Sequence, residues 1–180
     1  MPEKPKEIRI EMPTSVYHAA NLRDLVFAVA HNVGQFSEHW AYRLQAVVDE
    51  LCNNAIEHGS AKDGLLRVIL QVVPKVKLAI IVEDAGQGPT QATAAELNKH
   101  VADLSEGEET APAKISTSLR GRGLTKIVKA WTDEIRFEDR AEGGIRAIAS
   151  KQVAAAEQEE KTATVTGAAH LDTITQISFR

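Results

Sequence analysis

Glu50, Asn54 and His58 recur at four-residue intervals within the stretch that runs from Asp49 to Gly59. On a helix that interval puts an acid, an amide and an imidazole on one face. A buried face would carry Leu or Val at those positions. A carboxylate there can orient or deprotonate a nucleophile, an amide oxygen can hold a metal, and an imidazole can stand near a ligand. Two glycine motifs lie downstream. In Asp84-Ala-Gly-Gln-Gly88 the aspartate follows an apolar run. Its carboxylate can accept from an exocyclic amine such as that of adenine, and Gly86 and Gly88 let the backbone turn and approach a ligand. Asp and Gly also make ordinary turns, so this motif gains its meaning from the others. In Arg120-Gly-Arg-Gly-Leu124 glycines precede a helical pattern. Exposed amides at a helix start favour anions, and Arg120, Arg122 and Lys126 add charge suited to phosphate. Neither a phosphate-binding Gly-Lys-Ser/Thr loop nor the three-glycine dinucleotide fingerprint is present.

These residues need elements to position them. Residues 7–11 alternate as a short strand. Tyr17 to Val33 repeats apolar residues at helical spacing and Gly34 closes it. Ser37 caps a second helix that Gly59 ends. Leu65 to Val73 and Val76 to Glu83 read as a hairpin around Pro74 and Lys75. Residues 90–104 predict a short helix, and 105–119, acidic and then Ser/Thr/Pro-rich, predict an irregular loop. A helix from Leu124 to Trp131 follows, then a hairpin of Asp133–Phe137 and Ile145–Ile148. The expected fold is an α/β (α+β) two-layer sandwich, a mixed, largely antiparallel sheet with helices on one face. Residues 1–150 form the domain. Residues 151–180 are an extension, a helix or linker without chemistry, with an added strand at 173–179.

The chain has 180 residues and a formal net charge of −4. That size supports one domain with a substantial core. The charge gives no reason to expect nucleic acid or an anionic membrane as partner. No apolar run reaches the roughly 20 residues that span a bilayer. The charged start is no signal peptide, and the single cysteine, Cys52, forms no internal disulfide. The cytoplasm is the expected location.

In order and spacing, Glu50-x-x-x-Asn54-Ala-x-x-His58-Gly59, Asp84-x-Gly86-x-Gly88 and Gly121-x-Gly123-Leu124 resemble the N box and two glycine boxes of the Bergerat-fold (GHKL) ATPases. Leu22-Arg23, the core of the second helix from Val48, and Thr132-Asp-Glu-Ile are most similar to the anti-sigma-factor serine kinases of bacterial partner switching. The resemblance covers about residues 7 to 150. It implies ATP with Mg²⁺ ligated through Asn54, a general base in Glu50, and adenine read by Asp84. It also implies Gly86 and Gly88 beside adenine and ribose, and Gly121, Arg122, Gly123 and Leu124 around the phosphates at the edge of a lid formed by 105–119. His58 is a supporting residue. The implied partners are an anti-sigma-factor antagonist as substrate, a sigma factor, and a second copy of the chain, with Leu22-Arg23 as a contact. A nucleotide-gated binding module is the alternative. A histidine-kinase catalytic domain is disfavoured, since His18 and His31 lie in no phosphoacceptor context. Relatives often place Thr or Ser where this chain has Gly143-Gly-Ile, which leaves the details of the base contact open.

Overall fold

The computed structural model describes residues 4–61, 63–89, 92–103 and 128–174. Five strands, β1 (Lys6–Pro13), β2 (Leu65–Val73), β3 (Lys77–Glu83), β4 (Glu134–Asp139) and β5 (Ile145–Gln152), form one sheet in the order β1-β2-β3-β5-β4. Every ladder is antiparallel, so the parallel component of the expected mixed sheet is absent among the described strands. Helices α1 (Val16–Ala28), α2 (Glu38–Asn54), α3 (Ala94–Asp103), α4 (Lys129–Trp131) and α5 (Val153–Ile174) complete the fold.

Strand alternation sorts the two faces. Leu66, Val68, Leu70, Val72, Leu78, Ile80, Val82, Ala147 and Ala149 share one core with Leu22, Val26, Trp40, Leu44, Val48 and Leu51 of the helices. The opposite face carries a buried stripe, Ile69, Ile81 and Ile148, in register across β2, β3 and β5. One rung along, Glu11, Arg67, Glu83, Arg146 and Glu138 stand opposite one another across all five strands with alternating charge. Arg67 bonds Glu11 at 2.6 Å and Glu83 at 3.2 Å, and Arg146 reaches Glu83 at 2.6 Å. Opposite charges placed directly across strands reinforce the ladder.

Local chemistry sets the helix limits. Ser37 caps α2, its hydroxyl accepting from the Trp40 amide at 3.2 Å. Thr93 and Glu96 cap α3 reciprocally: the Thr93 hydroxyl accepts from the Glu96 amide at 3.3 Å, and the Glu96 carboxylate accepts from the Thr93 amide at 2.8 Å. Both α1 and α2 end in a wider π turn, Val29–Gly34 and Ala55–Gly59. After the first, the left-handed residue is Gln35 (φ 64°) rather than Gly34; a side chain at Gly34 would press on the Phe36 ring. The β2–β3 hairpin turns at Pro74 and at Lys75, which is also left-handed.

The extension is a helix docked on the domain. Val153 and Ala156 of α5 enter the core. The Trp40 indole N–H donates to the Ala156 carbonyl at 2.9 Å, and the Ser37 hydroxyl donates to Glu160. Lys151 is 2% exposed, its ammonium 4.4 Å from the Trp40 ring centroid and paired with Asp133 at 2.8 Å and Glu159 at 2.5 Å. Helix α5 takes in residues 173 and 174 of the expected added strand, and 175–180 lie outside the described residues.

Candidate functional site

The last turns of α2 carry the first motif. The Asn54 side-chain amide donates to Glu50 Oε1 at 3.1 Å, and both residues are half-buried. That bond uses the N–H end of the amide and leaves its oxygen end as an acceptor. Position 58 lies in the π turn, so the helical period widens just beyond Asn54. Single π turns recur at functional sites. Cys52 faces the core, and burial, with a smaller contribution from Asp49, pushes its thiol up to about 12. It takes no part in the site.

The second motif closes against the end of this π turn. Asp84 directly follows β3 and is buried. Its Oδ1 accepts from the amides of Gly86 at 2.8 Å and Ile145 at 3.1 Å, and its own amide donates to the Ile145 carbonyl at 3.1 Å. Gly59 lies on the other oxygen: a Cβ there would overlap Asp84 Oδ2. A Cβ on Gly88 would overlap the His58 carbonyl, and the Gln87 amide donates to the Gly59 carbonyl at 3.1 Å. So Gly86 and Gly88 are small because the loop packs on α2's end and on the β4–β5 turn. Gly86 (φ 66°) abuts Gly144 (φ 86°), and a side chain on Gly144 would strike the Asp84 carbonyl and Oδ1. Nearby, Ser60 Oγ is buried without a hydrogen-bond partner among the described residues.

Burial pushes Asp84 above the usual aspartate range. The Ile145 and Gly86 amides and the Arg140 charge pull it back in part. The backbone of Ile145 thus holds the Asp84 carboxylate without a hydroxyl side chain. In sequence Gly143-Gly-Ile stands out only as a turn that lacks a hydroxyl; the close approach of Gly144 to Asp84 is visible only in three dimensions.

Two motifs therefore meet at one end of the helix layer: the Glu50–Asn54 pair and, through Gly59, the half-free carboxylate of Asp84. Arg120, Gly121, Arg122, Gly123 and Leu124, with the expected lid at 105–119, lie outside the described residues. Leu22 is 4% exposed in the core, which withdraws it as a partner contact; Arg23 beside it is half-exposed, 3.9 Å from Asp49.

The glycines fit a nucleotide. They bring main chain up to one carboxylate whose first oxygen takes two amides and whose second lies beside Gly59. No group of three or more His, Cys, Asp or Glu residues assembles as a metal site among the described residues. A magnesium ion held mostly by phosphate oxygens needs only one or two protein ligands, which suits the Asn54 oxygen. No helix among the described residues is long and apolar enough to cross a membrane. The family model for the histidine kinase-like ATPase domain matches residues 12–150. Comparison with curated proteins returned no match.

Proposed function

This chain belongs to the histidine kinase-like ATPase domains, and from that premise we propose that it is an ATP-dependent protein serine kinase. Its substrate is an antagonist of an anti-sigma factor, and the same protein holds the sigma factor. The observation that carries the kinase reading is the Glu50–Asn54 bond at 3.1 Å. A module that only binds nucleotide needs an amide for the cation and no carboxylate beside it. Here Glu50 takes the proton of the serine hydroxyl as its oxygen attacks the γ-phosphorus and ADP leaves, while Asn54 orients Glu50 and would hold Mg²⁺ through its side-chain oxygen. Bound Mg²⁺ would supply charge compensation for the phosphates. Asp84 Oδ2 accepts from the adenine amine, and the charges of Arg120 and Arg122 suit the phosphates.

Incubating the chain with γ-labelled ATP and small antagonist-type proteins tests this reading. Label on a serine of the partner supports the kinase. Nucleotide-dependent binding without label moves the assignment to a nucleotide-gated module.

The edges of the sheet support self-association. The β4 edge is closed: the Asn98 amide donates to the Phe137 carbonyl and accepts from the Phe137 amide, both at 2.9 Å. The β1 edge has no main-chain partner among the described residues, and Ile8 and Ile10 on it are only half-buried. An open edge is a template for another strand. The partner assigned to it is β1 of a second copy.

A further inference from the structure

We propose that Arg140 is a positioning residue for the base-reading carboxylate, holding the main chain of Asp84 from the β4–β5 turn and so fixing where Asp84 Oδ2 points. The inference rests on the nucleotide reading above and adds a residue that no motif contains. The guanidinium donates to the Asp84 carbonyl oxygen. Its Nε lies 3.8 Å from Glu83 Oε2, and a terminal nitrogen reaches Glu142 at 3.2 Å. The side chain is 16% exposed. The Arg140 amide donates to the Gly144 carbonyl and its carbonyl accepts from the Gly143 amide, both at 3.0 Å. One residue therefore closes the turn that delivers the Ile145 amide to Asp84 Oδ1 and clamps the peptide that carries the carboxylate. With Oδ1 engaged by two amides and the carbonyl held by Arg140, Oδ2 beside Gly59 is left with a single orientation.

Arg140 is also the cation that the environment of Asp84 provides. Among the described residues, the other charged or titratable groups around the loop are Glu83 on the same strand, Glu142 on the turn, Arg146 on β5 next to Ile145, and His58 beside Gly59. Arg146 is spent on Glu83 at 2.6 Å. Arg140 opposes the effect of burial on Asp84, so losing it makes ionisation of Asp84 begin at higher pH.

The test is titration of the full chain with Mg·ADP and Mg·GDP between about pH 4.5 and 8. The variants are Arg140→Gln, Arg140→Lys and, as a control, Arg67→Gln, which also loses a partner of Glu83 but does not touch Asp84. Arg140→Gln is expected to weaken ADP about tenfold. It should also narrow the preference for ADP over GDP and move the acid limb of ADP binding to higher pH. Arg140→Lys should restore the acid limb more than the preference, because a point charge replaces a fork. Arg67→Gln should lose stability and keep all three binding features. Matching stability losses in Arg140→Gln and Arg67→Gln, with affinity, preference and pH profile unchanged, overturn the inference. If Arg140→Gln does not fold, an Arg140→Lys chain identical to wild type in preference and pH profile overturns it equally. A wild-type chain that binds neither nucleotide removes the nucleotide reading and this inference with it.

Discussion

Glu83 and Asp84 are consecutive at the end of β3, both are buried, and their surroundings drive the two carboxylates in opposite directions. Burial raises each. Glu83, its side chain 1% exposed, is then pulled below the usual range by Arg146 first and by Arg140 and Arg67 after it. Asp84 has two amides and one cation, and burial prevails. Glu83 belongs to the sheet, and Asp84 is the carboxylate proposed to meet the nucleotide. A carboxylate kept short of compensation is reactive toward a donor that arrives with a substrate.

The two should therefore respond to pH with opposite sign. Glu83 adds stability that is present above the unfolded glutamate value near 4.5 and is lost as pH falls through its lowered native value. Glu83→Gln is expected to cost about 2 kcal/mol at pH 7, with the deficit closing toward pH 4. Asp84 has a raised native value, so its ionisation opposes folding at neutral pH and the penalty fades as pH falls toward the unfolded value near 3.8. Asp84→Asn should stabilise the chain modestly at pH 7, with the gain shrinking on acidification, and should weaken ADP and ATP alike. Urea unfolding across pH checks both signs; a destabilised Asp84→Asn chain at pH 7 contradicts the account of Asp84.

Glu50→Ala and Asn54→Ala should separate chemistry from metal binding. The first is expected to abolish phosphotransfer and leave nucleotide affinity within a fewfold. The second should remove the magnesium-dependent part of ATP affinity, measured as the difference between titrations with Mg²⁺ and with a chelator. Equal loss of binding in both variants would contradict the division of roles across the 3.1 Å bond.

Gly59→Ala is a one-atom probe of the site. Gly59 is not left-handed, so alanine adds no backbone strain there. Its Cβ would meet Asp84 Oδ2. Overpacking at such a contact costs about 1–3 kcal/mol, and the carboxylate is pushed from its place. Nucleotide binding should fall more than in Asp84→Asn, where the geometry survives. Unchanged ADP affinity would place the base contact elsewhere.

Most of the site could be read from the chain because it rests on local rules. Ser37 and Gly59 bound the second helix in sequence, and the structure has α2 capped by Ser37 with its π turn ending at Gly59. Asp84 after an apolar strand is likewise a local signal. Contacts between distant segments were not legible. Gly144 touches Asp84 across 60 positions of sequence, and nothing in a Gly-Gly turn announces that. The extension reads in sequence as a helix or linker without chemistry, since Ala, Glu, Gln and Lys dominate its first turns. It docks through two small apolar residues and through charges that find Trp40 and Lys151. Such docking depends on where β5 ends, which hydrophobic periodicity does not encode.

Trp40 should be the residue on which α5 depends. It is fully buried, its N–H caps a carbonyl of α5, and the Lys151 ammonium lies over its ring. Trp40→Ala is expected to cost about 3–5 kcal/mol and to speed amide exchange across residues 153–160. Glu159→Gln, which removes a half-exposed partner of Lys151, should cost under about 1 kcal/mol. Unaltered exchange in α5 after Trp40→Ala would show that the helix is held by other contacts.

The β1 edge makes the last prediction. In an antiparallel pair of β1 strands related by a two-fold axis, the register sets which charges meet. Centred on Arg9, the pair would place Arg9 against Arg9 and Glu7 against Glu11. Centred on Ile8 or Ile10 instead, it places Arg9 opposite Glu7 or Glu11 of the other copy and joins isoleucines on the core face. Those two registers complete the burial that Ile8 and Ile10 lack within one copy. Wild type should therefore sediment as a dimer at micromolar concentration. Arg9→Glu opposes like charges in both favoured registers and should yield monomer that still folds, because Arg9 lies on the charged face of the sheet and is exposed. Glu7→Arg together with Arg9→Glu exchanges the charges and should restore pairing centred on Ile8. A wild-type monomer, or an Arg9→Glu chain that dimerises as tightly as wild type, would show that β1 does not carry the contact.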